Sequence, residues 1–508
     1  MNNRTSLIYK WLLLSIIVAL ASSITFTSCD DKEDFTASPS ALLTFETDTI
    51  EFDSVFTDVT SSTRRIRIFN KNKSGIRISE ARLKGEGKSG FIVNIDGPAG
   101  TPQHDIEVLG KDSIFLFAKV TVPSQGGSLD PIETSDTLEF MLESGVTQRV
   151  VLRATGFDAN RINVLDINED TELNSPLPYL VHDSIVVHEG ATLTLAPGTT
   201  LCFHNGAYVS VYGTLKSEGT LAKPVTLRGD RTDKMFTYLP YDRMDGQWEG
   251  ISLHEGSHDN TFFYTDIHGG NWGIQCDKDT SSKQKFDIRN SMIHNVNGMA
   301  LYAHECNGTV VNTQISNANN GCVVLYGGTY DFTHCTIAQF YPWSIARGTA
   351  LILSNSYDKD PSPLDNTTFH NCLITGQSSD QISILVHEDE SVSFDVDFSG
   401  SVVNIRLTER DPEQFTNMFL NASNEYPLED DKDEDERTWC EGNFRTIDTR
   451  NYIYDFDLTE GAFARNRGDK AYSIAVPNDR LGRPRPASEA PDAGCCQYEP
   501  QNKDTSKQ

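Results

Sequence analysis

One spacing constrains this chain more than any other. Six times an apolar residue, four further residues and a second apolar residue follow one another: Phe262/Ile267, Ile288/Ile293, Val310/Ile315, Phe332/Ile337, Phe369/Ile374 and Phe398/Val403. The third residue after each opening one is small, namely Thr265, Ser291, Thr313, Cys335, Cys372 and Ser401, and the closing residues recur at intervals of 26, 22, 22, 37 and 29. A second series, Gly250, Gly273, Gly298 and Gly321, runs beside it at intervals of 23, 25 and 23. A repeat of this length, made of very short strands and no amphipathic helix, cannot bury a face by itself, so rungs must stack to complete a core. The pattern predicts a parallel β-solenoid. Ile267, Ile293, Ile315 and Ile337 should enter one core and the small residues should fill a tight corner. Asn297 and Asn320 should stack at a turn and share amide hydrogen bonds. Leucine-rich repeats need an LxxLxL consensus that is absent, and a propeller lacks an in-register ladder of small residues.

Upstream, residues 42–158 read as alternating runs such as TIEFDSVF, RRIRIF and DSIFLFAKVTV, the pattern of a β-sandwich. Through the FDSVFT opening, the FNKNKS turn and the KDSIFLF strand, this stretch resembles Ig-like domains related to abnormal-spindle and HYDIN modules, which implies a spacer or interaction module. Residues 161–445 carry the repeat and resemble right-handed parallel β-helix proteins of the broad pectate-lyase-like superfamily. Residues 446–508, with Asp479-Arg-Leu-Gly482-Arg483-Pro484 and Pro491-Asp492-Ala493-Gly494, resemble the terminal segment of bacterial surface β-helix proteins of the choice-of-anchor Q type. Cys495, Cys496 and Gln497 depart from that pattern. A closing segment is expected there, because a terminal rung exposes unpaired strand edges. The expected fold class is therefore all-β: an N-terminal Ig-like sandwich followed by a right-handed parallel β-helix.

The first 28 residues read as a signal, with Arg4 and Lys10 ahead of the 11-residue apolar run Trp11–Ala21, too short to span a bilayer. Phe26-Thr27-Ser28-Cys29 resembles a lipobox, which implies acylation of Cys29. Residues 29–41 form a tether opening with Asp30-Asp31-Lys32-Glu33-Asp34, similar to the export tag of Bacteroidetes-type surface lipoproteins. The expected location is the cell envelope, as an outer-membrane lipoprotein exposed at the surface, with membrane contact through the lipid anchor only. A formal charge of −29 over 508 residues argues against a nucleic-acid partner. The partner classes left are a polysaccharide or a surface protein. An anionic polysaccharide would need a local basic patch. Nine cysteines follow Cys29, none spaced as CxxC, and most read as small buried hydrophobes. The acidic run 427–437 reads as a solvated loop. No cofactor and no metal site is expected.

Few constellations carry chemistry. His254-Glu255-Gly256-Ser257-His258 spells HExxH, but a zincin needs a helix to bring both imidazoles to one ion, and here a strand-like run precedes the motif, so it reads as a turn between rungs. His268 and His294 each follow a ladder isoleucine and should lie on adjacent rungs about 4.8 Å apart. With Asp266 and Arg289, and with Lys283 and Lys285 nearby, they form the set a uronate lyase wants, a base plus cations for the sugar carboxylate. Trp272, Tyr302, Tyr326 and Trp343 lie at or after the glycine series and are the candidate glycan contacts, since flat rings stack on pyranose faces. The leading expectation is a non-catalytic β-helix that binds a glycan or a protein partner. A polysaccharide lyase or glycoside hydrolase on the same fold is the alternative, and a structural adhesin or stalk is the third reading.

Overall fold

The computed structural model describes residues 34–97, 100–279, 281, 283–378, 380–405, 419–420 and 441–500. The signal segment with Cys29, the acidic run 427–437 and Cys440 lie outside the described residues. The chain forms two compact units. Among the described residues no helix is long and apolar enough to cross a membrane.

The N-terminal unit is built on two sheets. One pairs Arg64–Phe69 with Thr44–Phe45 and with Ser113–Val120, which in turn pairs with Phe91–Ile95, all antiparallel. The other runs through Thr49–Glu51, Thr147–Phe157, Ile132–Leu142, Ile76–Leu83 and Gln103–Val108. Alternation in these strands sends Ile66, Ile68, Leu116, Ala118, Leu138, Phe140, Val150 and Leu152 inward. Phe45 meets Phe140 at 5.0 Å, and Phe52 meets Phe91 at 5.7 Å, so rings from the two sheets interdigitate. This is the sandwich the alternation predicts.

The larger unit is the parallel solenoid. Each rung contributes a strand to each of three faces, as in Asn260–Phe263, Thr265–His268 and Ile274–Cys276. The second and third of these belong to one 18-stranded sheet and the first to a nine-stranded sheet. The isoleucine ladder is in register: Ile267 pairs with Ile293, Ile293 with Ile315, Ile315 with Ile337, Ile337 with Ile374 and Ile374 with Val403. Facing it, Phe262, Ile288, Val310, Phe332 and Phe369 pair in the same order. All of these side chains are buried in a single apolar cluster.

Between the two ladders sits a corner whose small residues tie rung to rung. The Thr265 amide donates to Ser291 Oγ at 2.9 Å, and the Cys372 amide donates to Ser401 Oγ at 2.9 Å. The residue before each small one is left-handed: Tyr264, Asn290, Asn312, His334, Asn371 and Gly400 have φ from 42° to 68°. Asparagine tolerates that region better than most residues, which accounts for three of the six. The asparagines that stack are in two pairs: Asn312 Nδ2 donates to Asn290 Oδ1 at 3.1 Å, and Asn317 Nδ2 donates to Asn295 Oδ1 at 3.2 Å. Asn297 and Asn320 are exposed instead. The glycine series also departs from the expected ladder. Ile251 pairs with Ile274, which aligns Gly250 with Gly273, but Ile274 pairs with Leu301 and so leaves Gly298 two residues out of line.

Replacing Asn312, at φ 49°, with valine should place a β-branched residue where it costs about 1–3 kcal/mol. The Asn312 hydrogen bonds to Asn290, Asn478 and Arg485 are lost in addition, at about 1 kcal/mol each. Asn312→Gly loses the same bonds without the strain. Chemical denaturation should rank wild type above Asn312→Gly and that above Asn312→Val; equal midpoints for the two variants would discard the strain account.

Residues 441–500 run back along the solenoid's flank. An antiparallel hairpin, Phe444–Asp448 with Ile453–Leu458, packs Phe444, Phe456 and Leu458 on the outward-facing Ala338, Phe340, Leu373 and Val402. Further on, Asp469 O accepts from Asn371 Nδ2 at 2.8 Å, Arg485 Nη2 donates to Asn312 Oδ1 at 2.8 Å, and the Cys495 amide donates to Thr336 Oγ1 at 3.0 Å. This segment thus covers apolar surface on the outer side of several rungs. Arg483 pairs with Asp479 at 2.6 Å and Asp457 at 3.1 Å, so the Asp479–Pro484 motif folds the segment on itself. The eight described cysteines are all free and buried, as the sequence suggests.

Candidate functional site

The strand Thr265–His268 turns Ile267 into the core, so Asp266 and His268 share its outer side. On the next rung, register places Met292 opposite Asp266 and His294 opposite His268. The two imidazoles stack with centroids 4.9 Å apart, the rung spacing expected from sequence, and planes 18° apart. Asp266 Oδ1 accepts from His268 Nδ1 at 2.9 Å and from His294 Nε2 at 3.1 Å. The other nitrogen of His268, Nε2, donates to Asp242 Oδ1 at 3.1 Å, and Arg228 Nη1 holds that same oxygen at 2.7 Å. Beneath them Trp248 is fully buried, stacked 4.2 Å from Phe203, with its indole N–H on the His268 carbonyl at 2.9 Å.

Burial works against charge on His268 and Asp266, and the pairing outweighs it. Burial pulls His268 down, but the charge of Asp266 and the hydrogen bonds to Asp242 and Asp266 push it up to about 9. Burial pushes Asp266 up, yet the two imidazoles hold its carboxyl well below the usual carboxylate range.

These side chains floor a cleft of about 430 Å³. Gln314 and Ser316 continue the floor onto the next rung, and Arg243 and Arg480 reach in beside it. The opposite wall is the C-terminal hairpin, with Tyr452, Tyr454 and Phe456. Arg243 Nη1 donates to Asn451 O at 3.1 Å, fastening the hairpin turn. Trp343 stacks on Tyr452 at 4.4 Å with planes 16° apart and is 43% exposed. Asp245, raised by burial, accepts from the Tyr341 hydroxyl near the same rim.

Of the residues singled out from sequence, Asp266, His268 and His294 come together. Arg289 does not join them: its strand, Phe286–Arg289, belongs to the nine-stranded sheet, and its guanidinium pairs with Asp287 at 2.7 Å. Lys285 is fully buried against Asp279 and the His254 carbonyl, and Lys283 reaches His258, so neither offers a cation to the cleft. The four aromatic candidates fall into three separate settings. Trp272 lies before the strand Ile274–Cys276, with its indole nitrogen buried and unpartnered. Tyr302 is 9% exposed, and with Tyr326 it gathers near Tyr357. Trp343 alone of the four backs the cleft wall. The stripe breaks because the glycine series does: Tyr302 pairs with Val324, and Tyr326 with His304. Asp242, Arg228, Arg243, Arg480 and the hairpin tyrosines were missed, though Arg480 and the tyrosines lie in the segment 446–508 that sequence marked as an element of its own. In the HExxH string, His254 bonds Ser210 and Asp277 while His258 bonds Asp259, so the two rings serve different partners in a turn, as expected.

No protein-family model and no curated protein matches this chain. Among solved structures, a family 123 glycoside hydrolase from Clostridium perfringens aligns at 8% identity and a TM-score of 0.17, over 23% of this chain and 26% of that one. This chain therefore spans about a quarter of that hydrolase's length. The ASH/PapD-like domain of human CEP192 aligns at 13% identity and 0.17 over 25% of this chain and 92% of the domain. Dex49A from Penicillium minioluteum aligns at 10% identity and 0.17, over 73% of this chain and 82% of that one. At these scores the likenesses carry no argument about the site. The β-helix rests on the pairing register itself.

Proposed function

We propose that this chain is a surface-anchored β-helix protein that binds a glycan without cleaving it, in the cleft between the Asp266 face of the solenoid and the hairpin Phe444–Leu458. The observation that carries the reading is the pairing of an aromatic wall, Tyr452 backed by the half-exposed Trp343, with a polar floor in a cleft of about 430 Å³. Such clefts hold sugars by ring stacking along one face and hydrogen bonds along the other. The floor favours binding over cleavage. Both nitrogens of His268 donate to carboxylates, and Asp266 accepts from two imidazoles, so neither is free to take a proton from a sugar carbon. Attachment would run through an acylated Cys29, because acyl chains contribute about 0.8 kcal/mol per buried CH₂.

A second reading, a polysaccharide lyase or hydrolase, draws on the same Asp266–His268–His294 cluster lying open to the cleft. A panel of plant, host and microbial polysaccharides, scored both for gel retardation and for release of unsaturated or reducing ends, separates the two. Retardation without new ends is expected; new ends that vanish in His294→Ala would replace binding by catalysis. For the anchor, Cys29→Ala should move the protein from the membrane to the soluble fraction. An unchanged distribution, with no lipid in the intact mass of the wild type, would remove the lipoprotein reading.

A further inference from the structure

We propose that Asp266, His268 and His294 form a binding site for a divalent transition-metal ion of the zinc class. Sequence gave no metal-ligand spacing, because the ligands come from two rungs 26 residues apart and only the solenoid register unites them. Among the described residues these three are the one set of His, Cys, Asp or Glu whose donor atoms gather within 4.8 Å of one another. The separations suit a metal. Ligands at about 2.0–2.1 Å in a tetrahedral site stand roughly 3.3 Å apart, and Asp266 Oδ1 lies 2.9 Å from His268 Nδ1 and 3.1 Å from His294 Nε2, so the ion would take the place of the two imidazole protons that make these hydrogen bonds and release them to solvent. The surroundings suit it as well. His268 turns its second nitrogen to Asp242, which Arg228 holds in place, the carboxylate–histidine arrangement that orients a ligating imidazole. Stacking of the two rings fixes their directions further. Three protein ligands leave the fourth position to the cleft, where water or a ligand hydroxyl can enter. Two imidazoles and one carboxylate suit zinc, iron, copper or nickel and not calcium, which takes six to eight oxygens. The site stands apart from the glycan reading, since an ion can bind there whatever fills the cleft.

The full chain, freed of metal by chelator and dialysed, should take up one equivalent of Zn²⁺ by calorimetry and elemental analysis, with a rise in melting temperature. His294→Ala and Asp266→Asn should each weaken that equivalent at least 100-fold. Asp242→Asn, which touches no donor atom, should weaken it about 10- to 100-fold and guards against a ligand variant that fails to fold. His258→Ala, at a different histidine–aspartate pair, should leave it unchanged. No bound equivalent in the wild type, or uptake that survives His294→Ala and Asp266→Asn alike, overturns the site.

Discussion

Trp248→Ala should cost about 3–5 kcal/mol of folding stability, among the largest losses available to a single substitution in this solenoid. The indole is wholly enclosed, lies flat on Phe203 at 4.2 Å, and gives its N–H to the His268 carbonyl at 2.9 Å. Truncation leaves a cavity that rungs pinned by backbone pairing on both sides cannot collapse, and it strips a buried carbonyl of its donor. Trp248→Phe keeps much of the volume and loses only the hydrogen bond, so it should cost about 1–2 kcal/mol. Denaturant midpoints for both variants check this. Equal losses would mean the ring's volume is not what matters. Because the orphaned carbonyl belongs to His268, Trp248→Ala should also weaken whatever binds above it.

The opposite signature is expected at the rim. Replacing Trp343 and Tyr452 together with alanine should reduce glycan retention about tenfold or more, at roughly 0.5–1.5 kcal/mol per stacked ring. Melting temperature should move little, because Trp343 is 43% exposed and its stacking partner stands on a hairpin turn. Tyr302→Ala serves as the contrast: that ring is 9% exposed, so its loss should lower stability and leave retention per folded molecule unchanged. If the rim variant loses stability as Tyr302→Ala does, or keeps full retention, Tyr452 is not part of a sugar platform.

The difference between these aromatic residues shows where sequence reading succeeds and where it stops. The isoleucine ladder was legible because an inward position on a parallel strand repeats rung after rung, and a slip of one residue would turn every side chain outward. The pair His268 and His294 was legible for the same reason, each lying one residue past a ladder isoleucine. The aromatic stripe was not. Its rings hang on turns, whose lengths vary between rungs without penalty to the core, so equal spacing from a glycine does not mean equal height on the solenoid. Arg289 failed on another count: sequence placed it in a turn beside the pair, but it ends the strand Phe286–Arg289 on the neighbouring face and points elsewhere. Asp242 and Arg228 carry no local signal. They reach His268 from earlier in the chain, through a short 3₁₀ turn at Tyr241–Arg243 and the strand Val225–Gly229.

The hairpin Phe444–Leu458 sets an order of events during synthesis. Rung-on-rung contacts join residues a few tens of positions apart, so the solenoid can zip up as the chain emerges, and loops of that size close at little entropic cost. Tyr452 and Tyr454 arrive more than 150 residues after His294, the last of the three clustered donors. A chain halted after Val402 and before the hairpin would hold a stacked solenoid with its Asp266 face bare, and with Phe340, Leu373 and Val402 open to water. Completion of the cleft therefore reports synthesis past Leu458, so that only molecules carrying the hairpin acquire both the aromatic wall and the cover over that apolar face.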